Sequence, residues 1–207
     1  MQGRRKRMMF SIILPAHNAA DRIRDALEMI KAQTFTNYEL IVICDSCTDN
    51  THEIAEAYGA RAIDVDYHSA GLSRNRGLDE ATGEWVLFHD DDDKWIHAFV
   101  LESIDRKLRA FDDIDLLQMS FYWKGIGVTG PLLNGQIWGN VWSKAIRREF
   151  IGETRFPDLY GPDDLEFVNR ILAKEPRTIL WDTPIYYYNY MRPGSITDSL
   201  QEKNHEQ

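Results

Sequence analysis

From residue 10 onward, short apolar runs alternate with amphipathic stretches. Phe10 to Leu14, closed by Pro15, predicts a buried strand. Ile23, Ala26, Leu27 and Ile30 then recur at helical spacing, with Asn18 placed to cap that helix. Tyr38 to Ile43 predicts a second strand. Thr48 or Asp49 caps a helix carrying Ile54, Ala57 and Tyr58, which Gly59 ends. A third strand over Arg61 to Val65, a helix over about Leu72 to Ala81 and a fourth strand over Trp85 to Phe88 follow. Leu101, Ile104, Leu108 and Phe111 mark a further helix, and Asp115 to Met119 a strand. Strand–helix alternation predicts an α/β fold with a mostly parallel central sheet covered on both faces. Ligands of such sheets sit beyond the carboxyl ends of the strands. His17-Asn18, Asp45 and Asp90 to Asp92 all follow strand ends and are expected to converge there.

Past residue 120 the pattern changes to dense aromatics and glycines, among them Phe121, Tyr122, Trp123, Trp138 and Trp142. A helix is expected over Asp163 to Ala173 with Leu165, Val168 and Leu172 on its apolar face, then a strand over Ile185 to Tyr190. The expected organisation is a basic arm over 1–9, a ligand-binding half over 10–119, a second half of the same domain over 120–200, and a polar tail over 201–207.

Composition narrows the classes. The 207 residues are 43% hydrophobic and 28% charged, as in ordinary globular proteins, and carry a net charge of −9. That acidity speaks against nucleic acid as a partner. No run of eighteen apolar residues predicts a transmembrane span, and no signal peptide is expected after the basic start. Two cysteines are too few for a disulfide scaffold, so the cytoplasm is the expected location. The cluster Arg4-Arg5-Lys6-Arg7 reads either as a disordered arm or as a weak peripheral contact with the inner face of an anionic membrane.

The strongest local signal is His89-Asp90-Asp91-Asp92-Asp93, directly after an apolar strand. Adjacent carboxylates repel unless a cation neutralises them, and hard oxygen ligands favour Mg²⁺ or Mn²⁺. An acidic run also reads as a solvated loop; its place after a strand favours the site. An extended chain here would point Asp90 and Asp92 the same way. Asp45 reads as an acceptor for a base N–H or as a turn residue. Cys44-x-x-Cys47 reads as two half-buried small residues rather than a redox pair, and two cysteines alone do not make a zinc site.

Four segments together carry a resemblance: Ser11-Ile12-Ile13-Leu14-Pro15-Ala16-His17-Asn18, Cys44-Asp45-Ser46-Cys47-Thr48-Asp49-Asn50-Thr51, Gly71-Leu72-Ser73-Arg74-Asn75-Arg76-Gly77 and Asp90-Asp91-Asp92-Asp93-Lys94-Trp95. In order and spacing they resemble family 2 glycosyltransferases of the GT-A fold, a Rossmann-like three-layer architecture. The likeness is specific over residues 11–95 and looser to about 197. It implies a nucleotide-diphosphate-sugar donor, usually a UDP-sugar, with residues 10–119 as the nucleotide-sugar half and 120–200 as the acceptor and catalytic half. It implies that Pro15, His17 and Asn18 line the nucleotide pocket and that Asp45 receives the uracil N–H. Arg74 would approach the base or diphosphate. Asp90 would address the ribose or sugar, with Asp91 beside it on the donor side, and Asp92 would bind the metal.

Tyr160 to Phe167 resembles the family's Glu-Asp motif. The likeness makes Asp164 the catalytic base, with Asp163 in place of the Glu on the acceptor side. Trp142-Ser143-Lys144 resembles the Trp-x-Lys segment near the acceptor, and Arg192 opens a resemblance to the late loop over the donor. The chain departs from the family in having His17 for Tyr and Cys-Asp-Ser-Cys for Asp-Asp-Gly-Ser. The implied activity is inverting sugar transfer to a glycan, lipid-linked or protein hydroxyl. Two alternatives are weighed against it. A haloacid-dehalogenase-type phosphatase shares the Asp-x-Asp after a strand but lacks, at Lys94, the Thr or Val it needs. The other is a non-catalytic nucleotide-sugar-binding module.

Overall fold

In the computed structural model, which describes residues 9–159, 161 and 163–189, the first strand already sets the layers. Along β1 (Phe10–Ala16), Phe10, Ile12, Leu14 and Ala16 enter one apolar cluster and Ile13 enters another on the opposite face. Helices α1 (Ile23–Lys31), α2 (Thr51–Ala57) and α4 (Val100–Arg109) close the first cluster. Helices α3 (Ala70–Glu80), α5 (Arg148–Ile151) and α6 (Asp163–Leu172) close the second. A strand buried on both faces must be apolar nearly throughout, which is why β1 and β2 (Tyr38–Asp45) read as continuous runs.

The main sheet runs β3 (Arg61–Val65), β2, β1, β4 (Trp85–Phe88), β10 (Lys144–Arg147), β6 (Leu116–Trp123), β11 (Thr178–Tyr188), β5 (Lys94–Trp95). Strands β3, β2, β1 and β4 are parallel. β10 is antiparallel to both β4 and β6, and β11 is parallel to β6. Short β7 (Gly127–Thr129) pairs β6, and β8 (Leu132–Leu133) with β9 (Gln136–Ile137) forms a separate hairpin. The parallel half matches the expected α/β, Rossmann-like layering; the second half is mixed.

Several expectations are corrected. The late strand starts at Thr178 rather than Ile185, with register shifts around Pro184, because a proline there interrupts the ladder. Phe111 lies exposed past the end of α4. Leu165 is 50% exposed, and α6 instead buries Phe167, Val168 and Ile171. The reason is aromatic packing: Phe167 stacks on Phe156 at 3.9 Å between centroids and meets Phe88 edge-on at 6.1 Å. Asn18 does not cap α1, whose N-cap position is Arg22. Its side-chain oxygen accepts from the Thr48 amide at 2.7 Å and ties the β1 loop to the β2 loop.

Asp45 is tied into its own loop. Oδ1 accepts from the amides of Tyr67 (2.8 Å) and His68 (2.9 Å), and Oδ2 from the Ser69 amide (2.9 Å) and Ser73 hydroxyl (3.0 Å). The Ser46 hydroxyl adds a bond to Oδ1 at 3.0 Å. The residue is 5% exposed. It anchors the loop that starts α3. Burial alone would raise its pKa, but the amides of Ser69, His68 and Tyr67 outweigh burial and hold the carboxyl below its ordinary value.

Two tests follow from this packing. Asp45→Asn is expected to cost about 1–3 kcal/mol at pH 7, since an amide leaves loop donors unmatched. A depressed folded-state pKa stabilises above the unfolded value of about 4 and loses that contribution as pH falls through the folded value. Denaturant melts from pH 7 to pH 3 are therefore expected to show the wild-type and variant curves converging in acid; a gap independent of pH would refute an ionised anchor. At the opposite end of the sheet, a Cβ on Gly83 would sit 2.5 Å from the Ser11 amide nitrogen and 2.7 Å from the Phe10 carbonyl carbon. Backbone cannot yield there, so Gly83→Ala is expected to lose about 1–3 kcal/mol in thermal melts.

Candidate active site

Helix α3 carries the arginine on which the site is built. Ser69 caps it, its hydroxyl accepting from the Leu72 amide at 3.3 Å. Gly77 lets the helix lie directly on β1, where any Cβ would strike the Ile13 side chain. The guanidinium of Arg74 thereby reaches the carboxyl edge of the sheet, 6% exposed, beneath the open surface. Nη2 donates to Asp90 Oδ1 at 2.9 Å and Nη1 to Asp163 Oδ2 at 2.9 Å, with Asp164 Oδ1 at 3.0 Å from Nη1. Arg74 was expected at the base or diphosphate. In the structure it forms a buried clamp between the acidic run and α6. Burial alone would lower its pKa; Asp164, Asp90 and Asp163 outweigh burial and keep it protonated.

The acidic run does not continue as an extended strand. The chain turns at Asp91-Asp92, so simple alternation of Asp90 and Asp92 is corrected to four separate destinations. Asp90 goes to Arg74. Asp91 pairs with Arg22, whose Nη2 lies 2.9 Å away. Arg22 also donates to the His17 carbonyl (3.0 Å) and the Asn18 carbonyl (2.8 Å), so it joins the acidic turn to the β1 loop. Asp92 is half-buried at the turn. Asp93 is buried and accepts from the Asn189 amide at 2.7 Å. Burial raises Asp90 and Asp91 to about 6, with Arg74 and Arg22 respectively opposing the rise, and pushes Asp93 well up.

Behind the turn His89 is fully buried. Its Nδ1 lies 2.8 Å from the Asp90 carbonyl, which can only accept, so Nδ1 carries the proton. Burial lowers its pKa to about 4, and it stays neutral at physiological pH. Tyr186 accepts from the Asp90 amide at 3.0 Å. His17 follows the same logic at the surface. Its Nδ1, 2.7 Å from the Asp45 carbonyl, is the protonated nitrogen, leaving Nε2 as an acceptor at the open edge beside Asn18. Pro15 lies half-buried at the end of β1, paired in register with Ile43.

The second half supplies the remaining groups. Asp164, in the first turn of α6, accepts from the Val141 amide at 3.2 Å through Oδ2. Oδ1 is buried against Arg74 with no aligned hydrogen bond. Burial raises its pKa, with Arg74 opposing. Asp163 is the more buried of the pair, and its pKa too is raised by burial. Lys144 was expected near the acceptor. It is buried, and its Nζ donates to the carbonyls of Trp138 (2.6 Å) and Asn140 (2.5 Å). It shapes the loop over the site. Burial lowers its pKa to about 7, against the pull of Asp164. Trp142 packs in the core, stacked on Tyr186 at 4.6 Å and 13°. Arg192 lies outside the described residues.

Among the described residues, six carboxylates (Asp90 to Asp93, Asp163 and Asp164) thus gather around two guanidinium groups (Arg22 and Arg74), with the Lys144 amine held nearby on backbone carbonyls. The surplus of hard oxygen donors fits a small divalent cation of the Mg²⁺ or Mn²⁺ class. Sequence reasoning missed Arg22, since an arginine before a helix carries no distinctive signal.

The family described as Glycosyl transferase family 2 matches residues 11–153. An uncharacterised glycosyltransferase of Escherichia coli K12, YibD, is 36% identical over 94% of this chain. The chain spans 64% of that relative's length. The crystal structure of Staphylococcus aureus TarS with UDP superposes with a TM-score of 0.78 at 26% identity, over 87% of this chain and 60% of that one. Glucosyl-3-phosphoglycerate synthase from Mycobacterium tuberculosis, crystallised with Mn²⁺, UDP and phosphoglyceric acid, shares the fold, with a TM-score of 0.70 at 21% identity over 95% and 74% of the two chains. The family match takes in the strands and helix that carry Arg74 and Asp90, and the relative of 36% identity extends over 94% of the chain; the chain belongs to glycosyltransferase family 2.

Proposed function

We propose that the protein transfers a sugar from a nucleotide-diphosphate sugar, with UDP as the carrier, to an acceptor hydroxyl with inversion at the anomeric carbon. One observation carries this reading: Arg74 holds the acidic run after β4 and the Asp163-Asp164 pair of α6 in a single cluster at the sheet's carboxyl edge. Donor-side and base-side carboxylates are thereby available to one reaction. The family assignment supports sugar transfer and gives no support to a phosphatase or a non-catalytic module. The UDP complex of TarS supports the choice of carrier.

Asp164 is the base in this reading. The helix N-terminus favours its ionised form, whereas burial moves its pKa up toward the working range of a proton acceptor. Its Oδ1 takes the acceptor's proton as the hydroxyl oxygen attacks. Arg74 orients that carboxylate and keeps Asp90 in place. Lys144 and the Val141 amide hold the loop over residues 138–141 against Asp164. Pro15, His17 and Asn18 line the base pocket. With Asp45 engaged in its own loop, His17 Nε2 is the acceptor offered to a uracil N–H. Asp92, with Asp90 beside it, would hold Mn²⁺ or Mg²⁺, which supplies neutralisation of the leaving diphosphate. The acceptor is a glycan, lipid-linked or protein hydroxyl, on the cytoplasmic side. Among the described residues no helix is long and apolar enough to cross a membrane.

The deciding experiment measures UDP release from a panel of UDP-sugars with Mn²⁺ and glycan acceptors. Asp164→Asn is expected to keep UDP binding and to lose about 10²–10⁴-fold in turnover. Near-full turnover in that variant would move the base elsewhere. In a separate calorimetric test, chelation and Asp92→Ala are each expected to remove the metal-dependent part of UDP affinity. Equal UDP affinity with and without chelator would remove the metal from the donor site.

A further inference from the structure

A second donor cluster lies on β2 and β3, apart from the groups assigned to sugar transfer. The parallel register sets Cys44 beside Asp64, so their side chains share one face of the sheet. Helix α2 packs over β3 and carries His52 in its first turn. The Cys44 sulfur, one His52 ring nitrogen and one Asp64 carboxylate oxygen all lie within 4.8 Å of one another. His52 Nδ1 and Asp64 Oδ1 are 2.8 Å apart. Cys44 is 1% exposed, the His52 side chain 28% and the Asp64 side chain 69%. The sulfur therefore floors a cup that opens to solvent past the carboxylate. Both cysteines are free thiols, and Cys47 adjoins Cys44 at the rim.

We propose that Cys44, His52 and Asp64 form a binding site for a thiophilic divalent cation of the Zn²⁺ class. One thiolate, one imidazole and one carboxylate make a three-ligand set with a fourth position open to Cys47 or water. Thiolate and imidazole select Zn²⁺ over the Mg²⁺ or Mn²⁺ that the all-oxygen edge would take, so the two sites differ in kind. The ion takes the place of the proton shared by His52 and Asp64, and the Cys44 proton leaves on binding. The Cys-x-x-Cys spacing offers two donors; the helix and the neighbouring strand supply the others. A metal there clips α2 to β2 and β3 directly beneath Asp45, the anchor of the loop that starts α3. The inference is independent of the sugar-transfer reading.

Co²⁺ serves as the spectroscopic probe. The full chain, freed of metal and kept reduced, is titrated with Co²⁺. The expected result is one equivalent bound per chain with a thiolate-to-cobalt charge-transfer band, bleached when Zn²⁺ displaces Co²⁺. Asp92→Ala is expected to keep the band. Cys44→Ala is expected to abolish it. Because Cys44 is a core residue, the surface variants His52→Ala and Asp64→Asn decide independently: each is expected to weaken Co²⁺ binding about ten-fold or more while melting cooperatively. No charge-transfer band in the wild type, a band surviving Cys44→Ala, or unchanged affinity in both surface variants would overturn the site and leave His52–Asp64 as a plain surface ion pair.

Discussion

One buried guanidinium organises this molecule. Arg74 has almost no contact with water, and a charge taken out of water is tolerable only when it is paired and hydrogen-bonded. Its partners come from two parts of the chain, 16 and 89 residues away. The same ion cluster therefore fixes where β4 ends and where α6 begins. A lysine would serve poorly, because a point charge cannot donate in two fixed directions to carboxylates on separate elements. Cation and carboxylates hold one another in place: the arginine keeps the acids ionisable in a dry setting, and the acids keep the arginine charged.

The acids outnumber the bases at this edge, and that imbalance gives the site its character. Carboxylates raised toward neutrality by burial are easily discharged, either by a proton or by a metal. Around them the structure places groups that add no further charge. His89 is neutral, edge-on to Trp95 at 5.4 Å, and the Tyr186 phenol accepts from the Asp90 amide and donates toward Asp93. The wall behind the acidic turn is thus polar but uncharged, so excess negative potential is directed toward the open side, where a cationic or metal-bound ligand would meet it.

Much of this was legible along the chain, for definite reasons. β1, β2 and β4 are buried on both faces and so are written as unbroken apolar runs, and the loops after them had to meet at one edge. The acidic run stood out as carboxylates at a strand end, whereas Asp164 was singled out only by the resemblance of its segment to the family's Glu-Asp motif. What stayed hidden depends on side-chain direction. Nothing in the order of residues says that Asp45 turns inward to five donors, that Lys144 points at two carbonyls, or that Arg22 bridges two loops. The face of α6 was misjudged because the Phe156–Phe167 stack turns Phe167 inward and leaves Leu165 exposed. β10 escaped notice for a related reason: four residues beside a helix carry too short a pattern to read.

That short strand bears on how the chain comes off the ribosome. β4 has β1 on one side and β10 on the other, and β10 is synthesised more than fifty residues later. Until Lys144 to Arg147 emerge, the growing polypeptide holds a half-built sheet whose apolar border, Trp85 to Phe88, has no partner on one side. An unpaired, uncharged edge of that kind is a template for association with other nascent chains. The acidic run close after Phe88 sets repelling charge at the end of that edge. Its mutual repulsion discourages stacking of one unfinished chain on another.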